Sequence, residues 1–277
     1  MTSENNLNGR TVLITGGTRG LGREMALCLA RAGATLCITG TKRSDDFYKT
    51  TSELASISGD NNFIAEIVNV CDLKATTDFV DLCIAKFFKI DVLINNAASN
   101  PTMNINTIDI TDNSRIENMP IEDWNKDLSV GLTGAFLCSR TFGYQMAIQK
   151  KGVILNIASD LALIGPDQRI YKKEGLTDEN QPVKPVTYSV VKSGLIGLTK
   201  YLATYWNDKG VRVNALVPGG VYDGQSPEFV DKLSKLIPLG RMADANEYKS
   251  SVAYLISDAS SYMTGSILVV DGGRTAW

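Results

Sequence analysis

The sequence has 277 residues, of which 44% are hydrophobic and 21% are charged, which is enough for one large core or two small ones. Its 28 Lys and Arg residues nearly balance its 30 Asp and Glu residues, so no charge excess indicates nucleic acid or an acidic membrane as partner. It contains no histidine, which excludes Ser-His-Asp triads, Cys-His dyads and histidine metal sites. We therefore expect a small-molecule ligand and no metal.

The cysteine pattern and the amino-terminal segment predict the compartment. The five cysteines fall in apolar runs without C-x-x-C spacing. The first ten residues are polar, and no run approaches ~18 apolar residues. We expect a soluble, cytoplasmic protein with reduced thiols.

The first chemical motif lies between a predicted strand, residues 10–15, and a predicted helix, residues 23–32. The connecting turn is rich in glycine and includes Gly16, Gly20 and Gly22. Glycines let a backbone approach a ligand closely, and amides at a helix amino terminus favour an anion such as a pyrophosphate. The alternative is that the glycines only pack the helix onto the sheet. The βαβ context favours nucleotide binding.

The next predicted strand, residues 34–39, is followed by cations. An NAD-binding protein places an acid at the end of this strand for the ribose hydroxyls, but here Thr41, Lys42 and Arg43 follow and the first acids are Asp45 and Asp46. The three cations Arg19, Lys42 and Arg43, with the hydroxyl of Thr41, are suited to binding a 2′-phosphate. NADP(H) is therefore the preferred cofactor and NAD(H) the alternative, unless these cations only begin a solvated helix.

Strands and helices alternate along the rest of the chain, and the strands are apolar on both faces, which predicts a parallel sheet covered on both sides. We expect strands at 63–70, 91–94, 152–158, 211–217 and 266–270, and helices at 73–89, 121–149, 227–236 and 245–257. Residues 99–120 form a predicted loop. Gly131 and Gly134 inside a helix are unfavourable unless they permit close packing, which we expect.

The segment 160–186, between Ser159 and the next helix, is long for a loop in a compact domain. It carries a mixed polar set: Asp160, Asp167, Gln168, Arg169, Tyr171, Lys172 and Lys173. We expect a lid whose first half contacts a polar substrate, with Arg169 among the contacts, and whose second half, including Asp178 and Glu179, faces solvent. A solvated charged loop is the alternative.

Tyr188 and Lys192 stand four residues apart, so on a helix they share one face. A cation beside a phenol favours the phenolate and lowers its pKa towards the working range of a proton donor. Taken alone, the pair also fits a surface lysine one turn from a half-buried tyrosine.

Taken together, T-G-G-T-R-G-L-G at 15–22, N-N-A-A at 95–98, Ser159, Tyr188-x-x-x-Lys192 and P-G-G-V at 218–221 resemble the short-chain dehydrogenase/reductase family. The resemblance implies an α/β fold: one Rossmann-type, doubly wound domain over 1–277, with a seven-stranded parallel sheet of order 3-2-1-4-5-6-7 and helices on both faces. Within this domain we expect an inserted active-site loop at 160–186 and a substrate loop at 219–240. It also implies a homodimer or homotetramer, in which the helices 121–149 and 186–207 pair with their symmetry mates.

The resemblance implies roles residue by residue. Tyr188 would transfer the proton, Ser159 would bind the substrate oxygen, and Lys192 would hold the nicotinamide ribose and lower the Tyr188 pKa. The implied cofactor contacts also include Gly16, Thr18, Arg19, Gly20, Leu21, Gly22, Thr41, Lys42, Asn69, Val70, Asn95, Ala97, Pro218, Gly219 and Val221.

Three positions depart from the family pattern. Gly131 replaces a usual asparagine; if the main-chain carbonyl holds the relay water, we expect activity with a wider cavity. Asn69 replaces a usual aspartate near the adenine, with little expected loss. Ser159 and Tyr188 lie 29 positions apart, a longer gap than in most members, so the inserted loop should cover the substrate.

The leading functional hypothesis is an NADP(H)-dependent oxidoreductase that interconverts a secondary alcohol and a ketone on a polar small molecule. The loop 160–186 is also similar to loops in bacterial family members of surface-sugar biosynthesis, and this resemblance implies a sugar or sugar phosphate of surface-polysaccharide biosynthesis as one candidate substrate. The alternatives are a cofactor-binding sensor or scaffold with little turnover, and a sugar-nucleotide epimerase or dehydratase.

Overall fold

The computed structural model describes residues 7–99 and 114–277. Within these ranges the strands are Thr11–Ile14 (β1), Thr35–Gly40 (β2), Phe63–Ile67 (β3), Val92–Asn95 (β4), Gly152–Ile157 (β5), Val211–Pro218 (β6) and Ile267–Val270 (β7). They form one parallel seven-stranded sheet of order β3-β2-β1-β4-β5-β6-β7, which confirms the predicted topology. Most of the predicted loop 99–120 lies outside the described residues.

The strand order reverses at β1. Val12 of β1 pairs with Leu36 of β2 on one side and with Val92 of β4 on the other. Ligands of open α/β sheets bind at such a reversal, beyond the carboxyl ends of the strands. The glycine turn follows β1, Asn95 ends β4 and Ser159 follows β5, so all three lie at this edge.

Helices cover both faces of the sheet. They are Gly20–Arg31 (α1), Asp45–Ser58 (α2), Leu73–Phe87 (α3), Ile121–Leu128 (α4), Gly134–Gln149 (α5), Val186–Tyr205 (α6), Pro227–Ser234 (α7) and Lys249–Ile256 (α8). Alternate residues of a strand point to opposite faces, so Val12 and Ile14 enter one core and Leu13 enters the other. Both sides of β1 are therefore buried.

The predicted helix 121–149 contains an interruption. A π-helical turn, Ser129–Thr133, separates α4 from α5. A Cβ atom on Gly134 would lie 2.7 Å from Cγ2 of Val70, too close for any side chain. The expectation that this glycine allows close packing is confirmed.

No helix in the described ranges is long and apolar enough to cross a membrane.

Candidate active site

The glycine turn after β1 is held against the end of β4. Gly16 has a φ of 65°, which favours glycine, and a Cβ atom there would lie 3.2 Å from Cα of Ala97. The Thr15 hydroxyl accepts the N–H groups of Asn96 and Ala97, each at 3.0 Å, and the Asn96 amide donates to the Gly16 carbonyl at 3.1 Å. The predicted contacts Gly16 and Ala97 are thus adjacent. Thr15 and Asn96, which fix them, were not predicted.

The amino terminus of α1 suits a bound phosphate group. Its N-cap, Arg19, makes no capping hydrogen bond through its side chain, and the first turn contains no acid. A Cβ atom on Gly22 would collide with the Gly16 carbonyl, so the turn can only be this tight with glycine. Open amides and a positive helix end favour an anion, and the dinucleotide expectation fits these residues. Thr18, Gly20 and Leu21 lie in the same turn.

The cations after β2 do not all have the same surroundings. Arg43 pairs with Glu66 at 3.6 Å and lies 5.4 Å from the ring centre of Phe47. Arg19 and Lys42 are exposed and form no ion pair with any residue in 7–99 or 114–277. These two cations, with exposed Thr41, are the groups available to an additional phosphate.

Two further predicted contacts follow β3. Asn69 is exposed, and its side-chain oxygen accepts the Cys71 N–H at 3.1 Å, which leaves a second lone pair on that oxygen. Val70 is buried against Gly134.

Asn95 at the end of β4 ties the centre of the sheet together. Its amide donates to Ser139 at 3.0 Å and to Asn156 at 2.8 Å, and Asn156 donates to Thr199 at 2.8 Å. This chain links β4, α5, β5 and α6 directly beneath the site. The side-chain oxygen of Asn95 is buried without a partner among the described residues.

Ser159, at the end of β5, is 5% exposed. Its hydroxyl donates to Oδ1 of Asp160 at 2.8 Å and accepts the Leu161 N–H at 3.3 Å. It also lies close enough to the Tyr188 phenol to lower the pKa of that group through a hydrogen bond.

Lys192 and Tyr188 lie one turn apart on α6, as predicted. Lys192 is buried, and its Nζ donates to the carbonyl oxygen of Ile157, the last residue of β5, at 2.8 Å. The same Nζ lies 5.7 Å from the centre of the Tyr188 ring. Ser159, Tyr188 and Lys192 are thus brought together where β5 ends.

The pKa of Tyr188 differs from the sequence-based expectation of a lowered value. Burial raises it, the hydrogen bond with Ser159 lowers it, and the charge of Asp160 raises it, with a raised pKa as the net result. Lys192 does not offset the burial, because its ammonium is directed to Ile157 rather than to the phenol oxygen. Among the protein's own residues, the expectation that Lys192 lowers the pKa of Tyr188 is therefore wrong.

A second lysine, Lys184, was not predicted to belong to the site. Its Nζ lies 3.9 Å from the centre of the Tyr188 ring, within cation–π range. Burial lowers the pKa of Lys184 to about 8, while Asp160 and Asp127 act to raise it. Burial and the charge of Lys184 lower the pKa of Lys192 to about 8. The signal in the sequence is a lysine four positions before the tyrosine.

Gly131 lies in the π-helical turn and is buried. A Cβ atom there would overlap Cγ1 of Val191, the residue before Lys192. The space that a side chain at position 131 would need is therefore filled by valine. The expectation of a wider cavity at this point is wrong.

The segment 160–186 folds into three short 3₁₀ turns, Asp160–Ala162, Gln168–Tyr171 and Asp178–Asn180. The Arg169 side chain is 83% exposed and pairs at 2.7 Å with Asp167, two positions before it. Its contact with a substrate stays a prediction. Asp178 and Glu179 are exposed, as expected.

Other residues of this segment face the site. Ile170 packs in a small apolar cluster with Leu233, Ile237 and Met242, which joins the segment to 219–240. Tyr171 lies 5.6 Å from the Phe229 ring, and burial raises its pKa to about 12, with Arg274, Tyr188 and Asp160 as its charged or titratable neighbours.

The P-G-G-V motif follows β6 and contacts the carboxy-terminal segment. A Cβ atom on Gly219 would lie 2.8 Å from Cα of Asp271. Val221, three residues after Pro218, forms an isolated parallel bridge with Ala243. The predicted cofactor contacts thus lie on turns that follow β1, β2, β3, β4 and β6, at one edge of the sheet.

Comparison with known proteins agrees with this architecture. A family model described as Enoyl-(Acyl carrier protein) reductase matches residues 16–275. The chain is 33% identical to an NADP-dependent mannitol dehydrogenase of Hypocrea jecorina over 97% of this chain and 93% of that protein. It is 34% identical to a 3-oxoacyl-acyl-carrier-protein reductase of Aquifex aeolicus over 96% of this chain and 98% of that protein.

Among solved structures, a short-chain type dehydrogenase/reductase from Mycobacterium marinum superposes with a TM-score of 0.83 at 27% identity, covering 99% of this chain and 98% of that chain. The matches extend over nearly the whole sequence. The chain belongs to the short-chain dehydrogenase/reductase family of oxidoreductases.

Proposed function

We propose that this protein is an NADP(H)-dependent oxidoreductase that interconverts a secondary alcohol and a ketone on a polar small molecule. The observation that carries the proposal is the meeting of Ser159, Tyr188 and buried Lys192 at the same edge of the sheet as the glycine turn. A protein that only binds a dinucleotide has no chemical need for these three side chains. The sensor or scaffold alternative therefore has no support from the site.

In the proposed reduction, a nicotinamide held by these residues would supply the hydride that the carbonyl carbon receives. The Tyr188 hydroxyl donates its proton to the carbonyl oxygen, which becomes the alcohol oxygen. Ser159 holds that oxygen against Tyr188. Oxidation reverses each transfer, and Tyr188 then receives the proton as the C–H hydride leaves.

Lys192 contributes position and charge. Its hydrogen bond to Ile157 fixes α6 against β5, so Tyr188 and Ser159 keep their separation. Its ammonium lies 5.7 Å from the centre of the Tyr188 ring, and that of Lys184 lies 3.9 Å from it, so two cations are close to the phenol. Residues Gly16 to Gly22, Asn95 and the P-G-G-V motif would hold the dinucleotide.

NADP(H) is the proposed cofactor because Arg19 and Lys42 are exposed cations at the end of β2 and the glycine turn. Both cations can form charge-assisted hydrogen bonds to a 2′-phosphate. No acid that could bind the ribose hydroxyls of NAD follows β2 directly. The mannitol dehydrogenase of Hypocrea jecorina is also named as NADP-dependent.

We further propose that the whole chain is one domain, with 160–186 as active-site loop and 219–240 as substrate loop. Contacts between Ile170, Tyr171 and the α7 region support a joint cover over the substrate. Lys184, Asp160, Tyr171 and Arg274 around Tyr188 favour a polyhydroxylated compound, such as a sugar or sugar phosphate, over an acyl chain. A role in surface-polysaccharide biosynthesis remains a prediction.

The direct test is NADPH oxidation over a panel of carbonyl compounds: ketoses, sugar phosphates, small oxo acids and a 3-oxoacyl thioester. We expect turnover with at least one polar ketone and little with the thioester. Activity confined to the thioester would contradict the substrate class, and NADPH binding without oxidation of any compound would favour a sensor.

We also propose a homodimer or homotetramer, since the outer faces of α5 and α6 expose apolar and aromatic side chains. Tyr144 and Ile148 are 62% and 59% exposed, and the stacked pair Tyr201 and Tyr205 is 63% and 61% exposed. Light scattering at micromolar concentration should give twice or four times the chain mass. Tyr144→Glu with Tyr205→Glu should lower it, and a monomeric wild type would contradict the proposal.

A further inference from the structure

Asp160 follows Ser159 directly and is 3% exposed. Its Oδ1 accepts both the Ser159 hydroxyl and the Leu161 N–H at 2.8 Å. A serine hydroxyl has a single proton, so Asp160 sets the orientation of the Ser159 hydroxyl in this structure. That proton must turn from Asp160 to the substrate oxygen for Ser159 to bind a ketone.

Asp160 in turn is paired with the carboxy-terminal segment. Nη1 of Arg274 lies 3.2 Å from Oδ2 of Asp160, and the two side chains are 7% and 4% exposed. The contact has the distance of an ion pair without the geometry of a hydrogen bond. A buried carboxylate is costly without a partner, so Arg274 offsets a charge that Asp160 would otherwise carry alone.

A hydrogen-bonded turn presents Arg274 at this position. The Asp271 carboxylate accepts the N–H of Gly273 at 2.8 Å and the N–H of Thr275 at 2.7 Å. Asp271 itself packs against Gly219 of the P-G-G-V motif. The last residues of the chain are thus built into the site.

The charged and titratable groups that face Tyr188 lie on α6 and on the segment 160–186. Lys192 lies on α6 with Tyr188, and the segment contributes Asp160, Tyr171 and Lys184. Asp127 of α4 acts on Lys184 and accepts the Thr187 hydroxyl at 2.6 Å. Asp160 is the group in this set that disfavours the phenolate of Tyr188 directly.

We propose that Asp160 and Arg274 form a positioning pair for the reaction: Asp160 orients the Ser159 hydroxyl and keeps Tyr188 in its proton-donating form, and Arg274 limits that effect by neutralising Asp160. The inference rests on the proposed function, since it assumes that Tyr188 transfers the proton. It assigns the carboxy-terminal turn a role in setting the pH range of turnover.

The test is a spectroscopic titration that needs no substrate. Tyrosinate absorbance is recorded against pH for each protein and for the same protein carrying Tyr188→Phe, and the difference isolates Tyr188. Asp160→Asn should lower the midpoint by roughly half to one pH unit, because a nearby negative charge is removed. Arg274→Met should raise it by a similar amount, because the cation beside Asp160 is removed.

Two variants separate charge from structure. Arg274→Lys keeps the cation and should titrate near the wild type, and the double variant Asp160→Asn with Arg274→Met should also lie close to it. Asp231→Asn removes an exposed carboxylate paired with Lys235 on α7 and should change nothing. Thermal unfolding of each variant confirms folding, and Asp160→Ser replaces Asp160→Asn if the latter does not fold.

Unchanged midpoints in Asp160→Asn and Arg274→Met would overturn the inference. Failure of the proposed function gives a different result: turnover retained in Tyr188→Phe, whatever the titration shows.

Discussion

Val191 fills the space that a side chain at position 131 would occupy. Gly131 lies in the π-helical turn between α4 and α5, and Val191 is the residue of α6 that precedes Lys192. The π-helical turn and α6 are therefore in direct contact next to Lys192. Glycine at 131 and valine at 191 fit only as a pair, and they set the position of Lys192.

Gly131→Asn should reduce the free energy of unfolding by about 1–3 kcal/mol, the usual cost of overpacking a buried site. Gly131→Asn with Val191→Ala should recover part of that loss. Gly197→Ala is the matched control, since a Cβ atom at this α6 glycine meets nothing within 4 Å. Urea unfolding measures all three, and a Gly131→Asn protein as stable as the wild type would show that Val191 moves away freely.

Stability should rise with pH above neutrality because of Lys184. Its pKa of about 8 in the folded protein lies below its ordinary 10.5, so the unfolded chain binds the proton more strongly between these values. The contribution is fully present above the ordinary pKa and is lost as pH falls through about 8. Urea unfolding from about pH 7 to about pH 10 should therefore show a smaller rise for Lys184→Met than for the wild type.

Lys192, whose pKa is also lowered to about 8, stays in that variant, so part of the rise should persist. Lys74→Met is the control: Lys74 is exposed beside Asp78, and that pair raises its pKa. Identical pH profiles for Lys184→Met and the wild type would mean that the Lys184 ammonium is not desolvated in the folded protein.

Cofactor selectivity should depend on Arg19 and Lys42. Replacing either residue with alanine should weaken NADPH binding roughly tenfold or more, because each variant loses a charge-assisted hydrogen bond to the 2′-phosphate. NADH lacks that phosphate, so its binding should change much less. Arg43→Ala should have a smaller effect, because Arg43 is paired with Glu66 and stacked on Phe47. Fluorescence titration gives both affinities, and equal losses for the two cofactors would refute the phosphate assignment.

The sheet could be predicted from the sequence because its strands are short apolar runs that end in recognisable turns. Helix α2 was not among the predicted elements. Its buried face consists of Phe47, Thr50 and Leu54, and the threonine breaks the apolar pattern. Its amino terminus nevertheless carried a signal, Ser44 followed by two acids.

The site was predictable only where its residues are close in sequence or fixed by the family pattern. Tyr188 and Lys192 share a helix face, and the glycine turn is local. Arg274 meets Asp160 only through the fold, and Arg169 satisfies its charge with Asp167 beside it. Spacing along the chain gives no information on such choices between a local partner and a distant one.

Tyr188→Phe tests the central claim most directly. The substitution removes one hydroxyl and little volume, so NADPH affinity measured by fluorescence should stay near the wild-type value, while turnover of any ketone that the wild type reduces should be almost abolished. Tyr262→Phe, at a fully exposed tyrosine, should leave both unchanged. If Tyr188→Phe keeps half of the wild-type rate with normal NADPH binding, Tyr188 is not the proton donor and the proposed mechanism is wrong.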